Sequence, residues 1–290
     1  MNAELLKYPF LSPPEPGKLT EVCPGVFWLR MPLPFALDHI NLWLLSDGDG
    51  WTLVDSGIGT EEVKGIWEQL FAGPLAGRPI KRIIVTHFHP DHLGLAGWIS
   101  RRFNAPVLMT QQEYEQAVQL HNTSGESRSE GQRRFFSRHG MGPEQLEQQA
   151  SSSNVYRNRV PELPEGYQRL QHLQSLTIGD HQWQLLVGRG HSPEHLCLYS
   201  PEQQLLIAGD QMLPRISPNI SVSFLNPDDD PLTDYLASLQ MLADLPLGVR
   251  VLPAHGLVFE GLHHRITALQ EHHQDRLNVL LEACQQPKCA

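Results

Sequence analysis

The chain has 290 residues, 40% apolar and 19% charged, which is enough for one large layered domain or two small ones of ordinary globular composition. With 32 acidic residues against 22 basic, the formal net charge is −10, and that weighs against a nucleic-acid role. No apolar run approaches the roughly 18 residues of a membrane span.

The opening MNAELLKYPF has no basic end followed by an apolar core, so no signal peptide is expected. Cys23, Cys197, Cys284 and Cys289 are scattered without disulfide or zinc-ribbon spacing, which fits a reducing cytoplasm. Short strands are expected at Val26–Arg30 and Asn41–Leu45, joined by a proline-containing loop, Pro32 to His39. That loop is either a pocket wall or a plain connection. A further strand, Trp51 to Asp55, ends on an aspartate, which is either a helix cap or a partner to groups downstream. Thr60 to Ala72 has Val63, Ile66, Trp67 and Leu70 at helical spacing.

The densest chemistry follows. Arg82 to Thr86 is an apolar β-branched run, and it leads into THFHPDHLGLAG, Thr86 to Gly97. His87, His89, Asp91 and His92 stand there at the spacing His-x-His-x-Asp-His, between a strand and a helix expected over Leu93–Phe103. Imidazole and carboxylate suit zinc and similar divalent ions. Alternate residues of an extended loop point the same way, so His87 and His89 can share one ion. Asp91 and His92 follow the bend at Pro90 and can turn toward a second.

Ala105 to Met109 reads as a short strand. Gln111 to Pro164, rich in Gln, Ser, Arg and Glu, reads as two or three helices around a polar link at Thr123–Gly131. As an insertion over the site it would carry substrate choice, with Tyr156, Arg157 and Arg159 as candidate contacts. Strands resume at Ser175–Ile178, Trp183–Val187, Leu196–Ser200, Leu205–Ala208 and Arg250–Leu252, with helices expected at Asp234–Leu245 and Leu262–Leu281. Gln211 to Leu225 is a long loop at the site end. His87, His191, Asp210 and His255 each lie just past the end of an apolar strand, a regularity that isolated core histidines would not produce. His195 could face the pocket or bond within its loop. The adjacent pairs His263–His264 and His272–His273 point apart on a helix and are not expected to chelate.

The signature resembles that of the metallo-β-lactamase superfamily. The supporting stretches occur in order: Val54-Asp55-Ser56-Gly57, the signature, Gly190 to His195, Gly209-Asp210 and Pro253-Ala254-His255-Gly256. The resemblance covers about residues 20–262. It implies an α/β fold, a four-layer αβ/βα sandwich. The expected domain is 1–262, carrying a helical insertion at about 111–165, with 263–290 as a C-terminal helical extension. Relatives of this shape often continue into a small winged-helix domain, so the sequence reads as a shorter form, a form with a disordered tail or a truncated piece.

The resemblance also implies two divalent metal ions, zinc by default, with manganese or iron fitting the same donors. His87, His89 and His191 would hold the first, Asp91, His92 and His255 the second, and Asp210 would bridge them. Asp55 would support the metal loop from behind. A hydroxide shared by the ions would be the nucleophile, with Asp91 as the catalytic residue that orients it or relays its proton. Ser56 and Ser192 then read as turn and cap residues. Penicillin-destroying members usually lack the bridging aspartate and are exported; the aspartate-bridged set resembles the glyoxalase II, thioesterase and nuclease branches. The acidic chain favours a small-molecule acyl substrate, a thioester, ester or lactone. A phosphodiesterase or ribonuclease of the same fold, or a non-hydrolytic metal-binding or redox member, is the alternative. A homodimer is common in such folds.

Overall fold

A computed structural model describes residues 6–123, 125–150 and 156–285; Cys289 lies outside them. The first sheet runs β1 (Leu19–Cys23), β2 (Val26–Pro32), β3 (His39–Asp47), β4 (Gly50–Val54), β5 (Ile80–Ile84), β6 (Val107–Met109) and β7 (Gln168–Arg169), in that order across the sheet. Its first four strands pair antiparallel, and from β4 onward the pairing is parallel. The parallel joins need crossovers. These are α1 (Glu61–Ala72), then α2 (Pro90–Leu93) with α3 (Ala96–Phe103), then α4 (Gln111–Asn122), α5 (Gly125–Arg138), α6 (Pro143–Ala150) and α7 (Tyr156–Arg159). The second sheet contains β8 (Ser175–Ile178), β9 (His181–Gly188), β10 (His195–Ser200), β11 (Leu205–Gly209), β12 (Arg250–Pro253) and β13 (Phe259–Glu260), in the order β13-β12-β11-β10-β9-β8. α8 (Pro231–Ala243) and α9 (Leu262–Ala283) cover it.

Three apolar clusters make the four layers. Strand side chains alternate in direction: Leu196, Leu198, Leu205 and Ile207 join Trp28, Trp43 and Val54 between the two sheets. Cys197, Tyr199, Leu206 and Ala208 face the other way, onto Tyr235, Leu239, Leu262 and Ile266 of α8 and α9. On the far side, Leu42, Leu44, Ile83 and Val85 meet Val63, Trp67 and Ile99 of α1 and α3. α1 begins where expected because the Thr60 hydroxyl accepts from the Val63 N–H at 3.3 Å, with Glu61 and Glu62 at the positive end of the helix. α8 starts three residues before the expected Asp234, because Asp230 accepts from the Thr233 N–H and Pro231 opens the helix.

Two helical expectations are corrected. Leu93–Phe103 is not one helix: α2 ends at Leu93 and α3 begins at Ala96. Gly94 lies where a Cβ would come within 2.4 Å of the Pro90 carbonyl and 2.5 Å of the Gly59 nitrogen, so this turn is pressed against the β4–α1 connection. The link placed at Thr123–Gly131 is largely helical, since α5 opens at Gly125. The insertion therefore holds four helices among the described residues rather than two or three.

Candidate metal centre

The loops after β5, β9, β11 and β12 meet at one edge of the two sheets, and all seven expected site residues come together there. Two sets of donors form: His87, His89, His191 and Asp210 in one, and Asp91, His92 and His255 in the other, the donor atoms of each lying within 4.8 Å of one another. In the first set, His87 Nε2 is 2.8 Å from His89 Nδ1 and 3.2 Å from His191 Nε2. In the second, His255 Nε2 is 3.5 Å from Asp91 Oδ2, and His92 Nε2 is 3.6 Å from the same oxygen. Asp210 divides its carboxylate between them. Oδ2 lies 3.3 Å from His191 Nε2, and Oδ1 lies 3.2 Å from His255 Nε2. Donors about 2.0–2.1 Å from a tetrahedral ion are spaced at about 3.3 Å, so these separations suit cations of that size.

The remaining ring nitrogens fix the tautomers. His92 Nδ1 faces Asp55 Oδ2 at 2.8 Å, His255 Nδ1 faces the His39 carbonyl at 2.7 Å, and His191 Nδ1 faces the Asn219 carbonyl at 2.9 Å. Each of these three rings donates from Nδ1 and turns Nε2 inward, where an ion or a proton would take its lone pair. His92 Nε2 and Asp210 Oδ1 are buried with no hydrogen-bond partner. Inward lone pairs on buried, unsatisfied acceptors are costly unless a cation receives them. The donor set therefore fits a pair of divalent ions.

Burial, with neighbouring histidines, holds His87 and His89 well below the usual histidine range, which keeps them in the neutral ligand form. Burial also works against charge on His92 and His255, but it is outweighed, at His92 first by Asp55 and at His255 first by Asp210, so both rise. Burial would raise Asp210, yet His255 and His92 hold it well below the carboxylate range.

Asp55 is a partner to the metal loop rather than a helix cap. Its carboxylate accepts from the Thr86 N–H at 2.8 Å, the Thr86 hydroxyl at 2.9 Å and His92, and its own φ is +61°. Ser56 and Ser192 serve as turn residues: Ser56 Oγ donates to the His92 carbonyl at 2.8 Å, and Ser192 Oγ donates to Glu113 at 2.6 Å. His195 faces inward beneath the site, where its Nε2 accepts from the Asp210 N–H at 3.1 Å. Burial holds its ring well below the usual range. Neither of the two histidine pairs on α9 belongs to a cluster of donors among the described residues.

Sequence reasoning missed Glu113. Its carboxylate, fully buried on α4, accepts from the Phe88 N–H at 2.9 Å, from Ser192 Oγ and from the Glu194 N–H at 2.7 Å. It thus clasps the loop of His87 and His89 to the loop of His191. Burial pushes it up to about 7 despite these three donors. The only sequence signal is a carboxylate sharing the inward face of a helix with Ala117 and Leu120. His39 was also missed as a support: its ring accepts from the Gly256 N–H at 2.8 Å while its carbonyl orients His255.

Two cavities meet at His89 and His191. One of about 620 Å³ opens over Asp91, Asp210 and His255, bounded by Leu37 from the β2–β3 loop and by His272 and Arg276 from α9. The other, of about 840 Å³, lies beneath the insertion. Tyr156 is buried and donates to the Phe88 carbonyl at 2.7 Å, Arg159 stacks on Phe35, and Arg157 is exposed.

Comparison with known proteins agrees with this fold. A crystal structure of a beta-lactamase domain protein from Burkholderia ambifaria is 42% identical, covers 97% of this chain and 84% of its own, and superposes with a TM-score of 0.87. A probable metallo-hydrolase, YqjP of Bacillus subtilis, is 27% identical over 251 residues, 80% of this chain and 71% of its own. An atrochrysone carboxyl ACP thioesterase of Aspergillus fumigatus is 22% identical over 234 residues, 80% of this chain and 41% of its own. The profile of the metallo-beta-lactamase superfamily matches residues 36–255, and the chain belongs to that superfamily, with its four-layer α/β sandwich.

Proposed function

We propose that the protein is a dinuclear metal-dependent hydrolase of small-molecule acyl thioesters or esters. The observation that carries this reading is the divided carboxylate of Asp210, one oxygen 3.3 Å from His191 and the other 3.2 Å from His255. His87, His89 and His191 would hold one ion and Asp91, His92 and His255 the second, with Asp210 between them; zinc is the first choice, and manganese or iron suits the same donors. Bound there, the ions supply a Lewis acid and a water activated at neutral pH.

The chain's own residues do the rest. Asp91 Oδ2, at 3.5 Å from His255 Nε2, is placed to orient the attacking water and to take its proton. His195 and Glu113 keep Asp210 and the two histidine loops in register. The relative from Aspergillus fumigatus named as a thioesterase supports the acyl-thioester class. In the same reading, residues 1–262 form the metal-binding domain, with the insertion at about 111–165 as its lid, and 263–290 extend it; the first turns of α9, at Leu262, Ile266 and Leu269, seal the second sheet.

A panel of acyl thioesters tests the reading. Hydrolysis that is abolished by chelator and falls at least about a thousandfold in Asp91→Asn supports it. Turnover of bis-nitrophenyl phosphate with no thioester hydrolysis replaces it with the phosphodiesterase reading.

A further inference from the structure

The larger cavity is unlike what a lactoyl or acetyl group needs. At about 840 Å³ it lies at the upper end of small-molecule sites. A two- or three-carbon acyl group would leave most of it to water. One wall is formed by His89 and His191, so whatever fills it abuts the metal centre directly.

Its rim carries charge, positive at Arg159 and Arg189 and negative at Asp229, Asp230 and Asp234, and two further kinds of side chain bear on an acyl guest. Phe88, Phe136 and Phe224 present aromatic rings. Phe224 comes down against α5 at Gly131, where a Cβ would lie 3.0 Å from the ring, so the loop before α8 and the insertion close on each other there. Gln112 and Gln116, one turn apart on α4, and Gln132 on α5 present amides. The half-buried side-chain amides of Gln116 and Gln132 have no hydrogen-bond partner among the described residues. A wholly aliphatic guest would leave those amides dry and unpaired, which is costly. A wholly polar guest would waste the rings. Rings stack best on flat rings, and amides can both donate to and accept from hydroxyl and carbonyl groups.

We propose that this cavity is the acyl site of the hydrolase and that it takes an aromatic acyl group bearing hydroxyl or carbonyl substituents. The inference rests on the acyl-hydrolase reading for its chemistry and on the cavity for its selectivity. In the reaction, water forms the new bond to the acyl carbon and the C–S bond breaks. The thiol leaves with one proton, and the acid is released as its carboxylate with loss of the other.

The test uses the metal-loaded full chain and four N-acetylcysteamine thioesters: acetyl, octanoyl, naphthoyl and dihydroxynaphthoyl. The dihydroxynaphthoyl ester is expected to have the highest kcat/KM, at least about tenfold above octanoyl. Gln116→Leu combined with Gln132→Leu should erase its advantage over naphthoyl, chiefly through KM, while Phe224→Ala should lower both aromatic esters relative to acetyl. Octanoyl or acetyl turnover equal to that of the aromatic esters would overturn the inference while leaving the hydrolase reading intact. Calorimetric binding of the non-hydrolysable dihydroxynaphthylmethyl thioether separates the two failures. Binding that weakens in both variants, with no turnover of any thioester, would uphold the cavity and sink the hydrolase. No binding of the thioether would overturn the cavity assignment.

Discussion

Glu113 and Asp55 do for the site what no ligand can do for itself: each fixes where a ligand points. The two carboxylates leave different signatures. Glu113 is wholly buried and pushed up to about 7 from 4.5. Below pH 4.5 it is protonated in both the folded and unfolded chain; between 4.5 and about 7 the unfolded chain releases the proton while the fold retains it. Its contribution to stability therefore falls as pH rises through that window and levels off above it. In chelator, urea unfolding at about pH 5 and about pH 8 should show wild type losing up to about 3 kcal/mol relative to Glu113→Gln. A pH-independent difference between the two would contradict the assignment. Asp55 would act on the metal through His92, which it hydrogen-bonds. Asp55→Asn turns an amide toward His92 Nδ1 and disturbs the tautomer that aims Nε2 inward. Competition with a chromophoric chelator should show about 10–100-fold weaker binding of one ion; unchanged affinity for both would count against the role.

At the scale of elements, strands were legible as short apolar runs bounded by turn residues: Leu205 to Ala208 reads as apolar throughout because its side chains divide between two buried clusters. The site was legible for a related reason, since each donor follows a strand and the strands share an edge. The break between α2 and α3 was not legible. Its cause is the backbone of Gly57 and Gly59 pressing on Gly94, a contact between stretches more than 30 residues apart. The first half of α5 was read as a link because its Gly, Ser and Glu content is that of a link, and only Phe135 and Phe136, further on, mark an inward side. Glu113 was invisible because its partners are two backbone N–H groups and one hydroxyl on two distant loops. Gly94→Ala tests the break: it should cost about 3 kcal/mol through the clash and displace Asp91 and His92. Wild-type stability in urea and wild-type metal content in that variant would show that the close approach is dispensable.

For the whole molecule, the account is a convergence. Two sheets bring four loops to one edge, the insertion roofs one side of that edge, and α9 bounds the other. A chain of net charge −10 gathers two carboxylates and five imidazoles in one place, with buried acceptors left facing inward. Two divalent ions would supply the missing positive charge and tie both sheets together, because Asp210 belongs to the second sheet's edge and His87, His89, Asp91 and His92 to the first's. The most direct measurement is metal content by mass spectrometry on protein purified without chelator, for wild type and Asp210→Ala. The account predicts about two ions per chain in wild type and at most one in the variant. One ion or none in wild type, or two retained without Asp210, would contradict it.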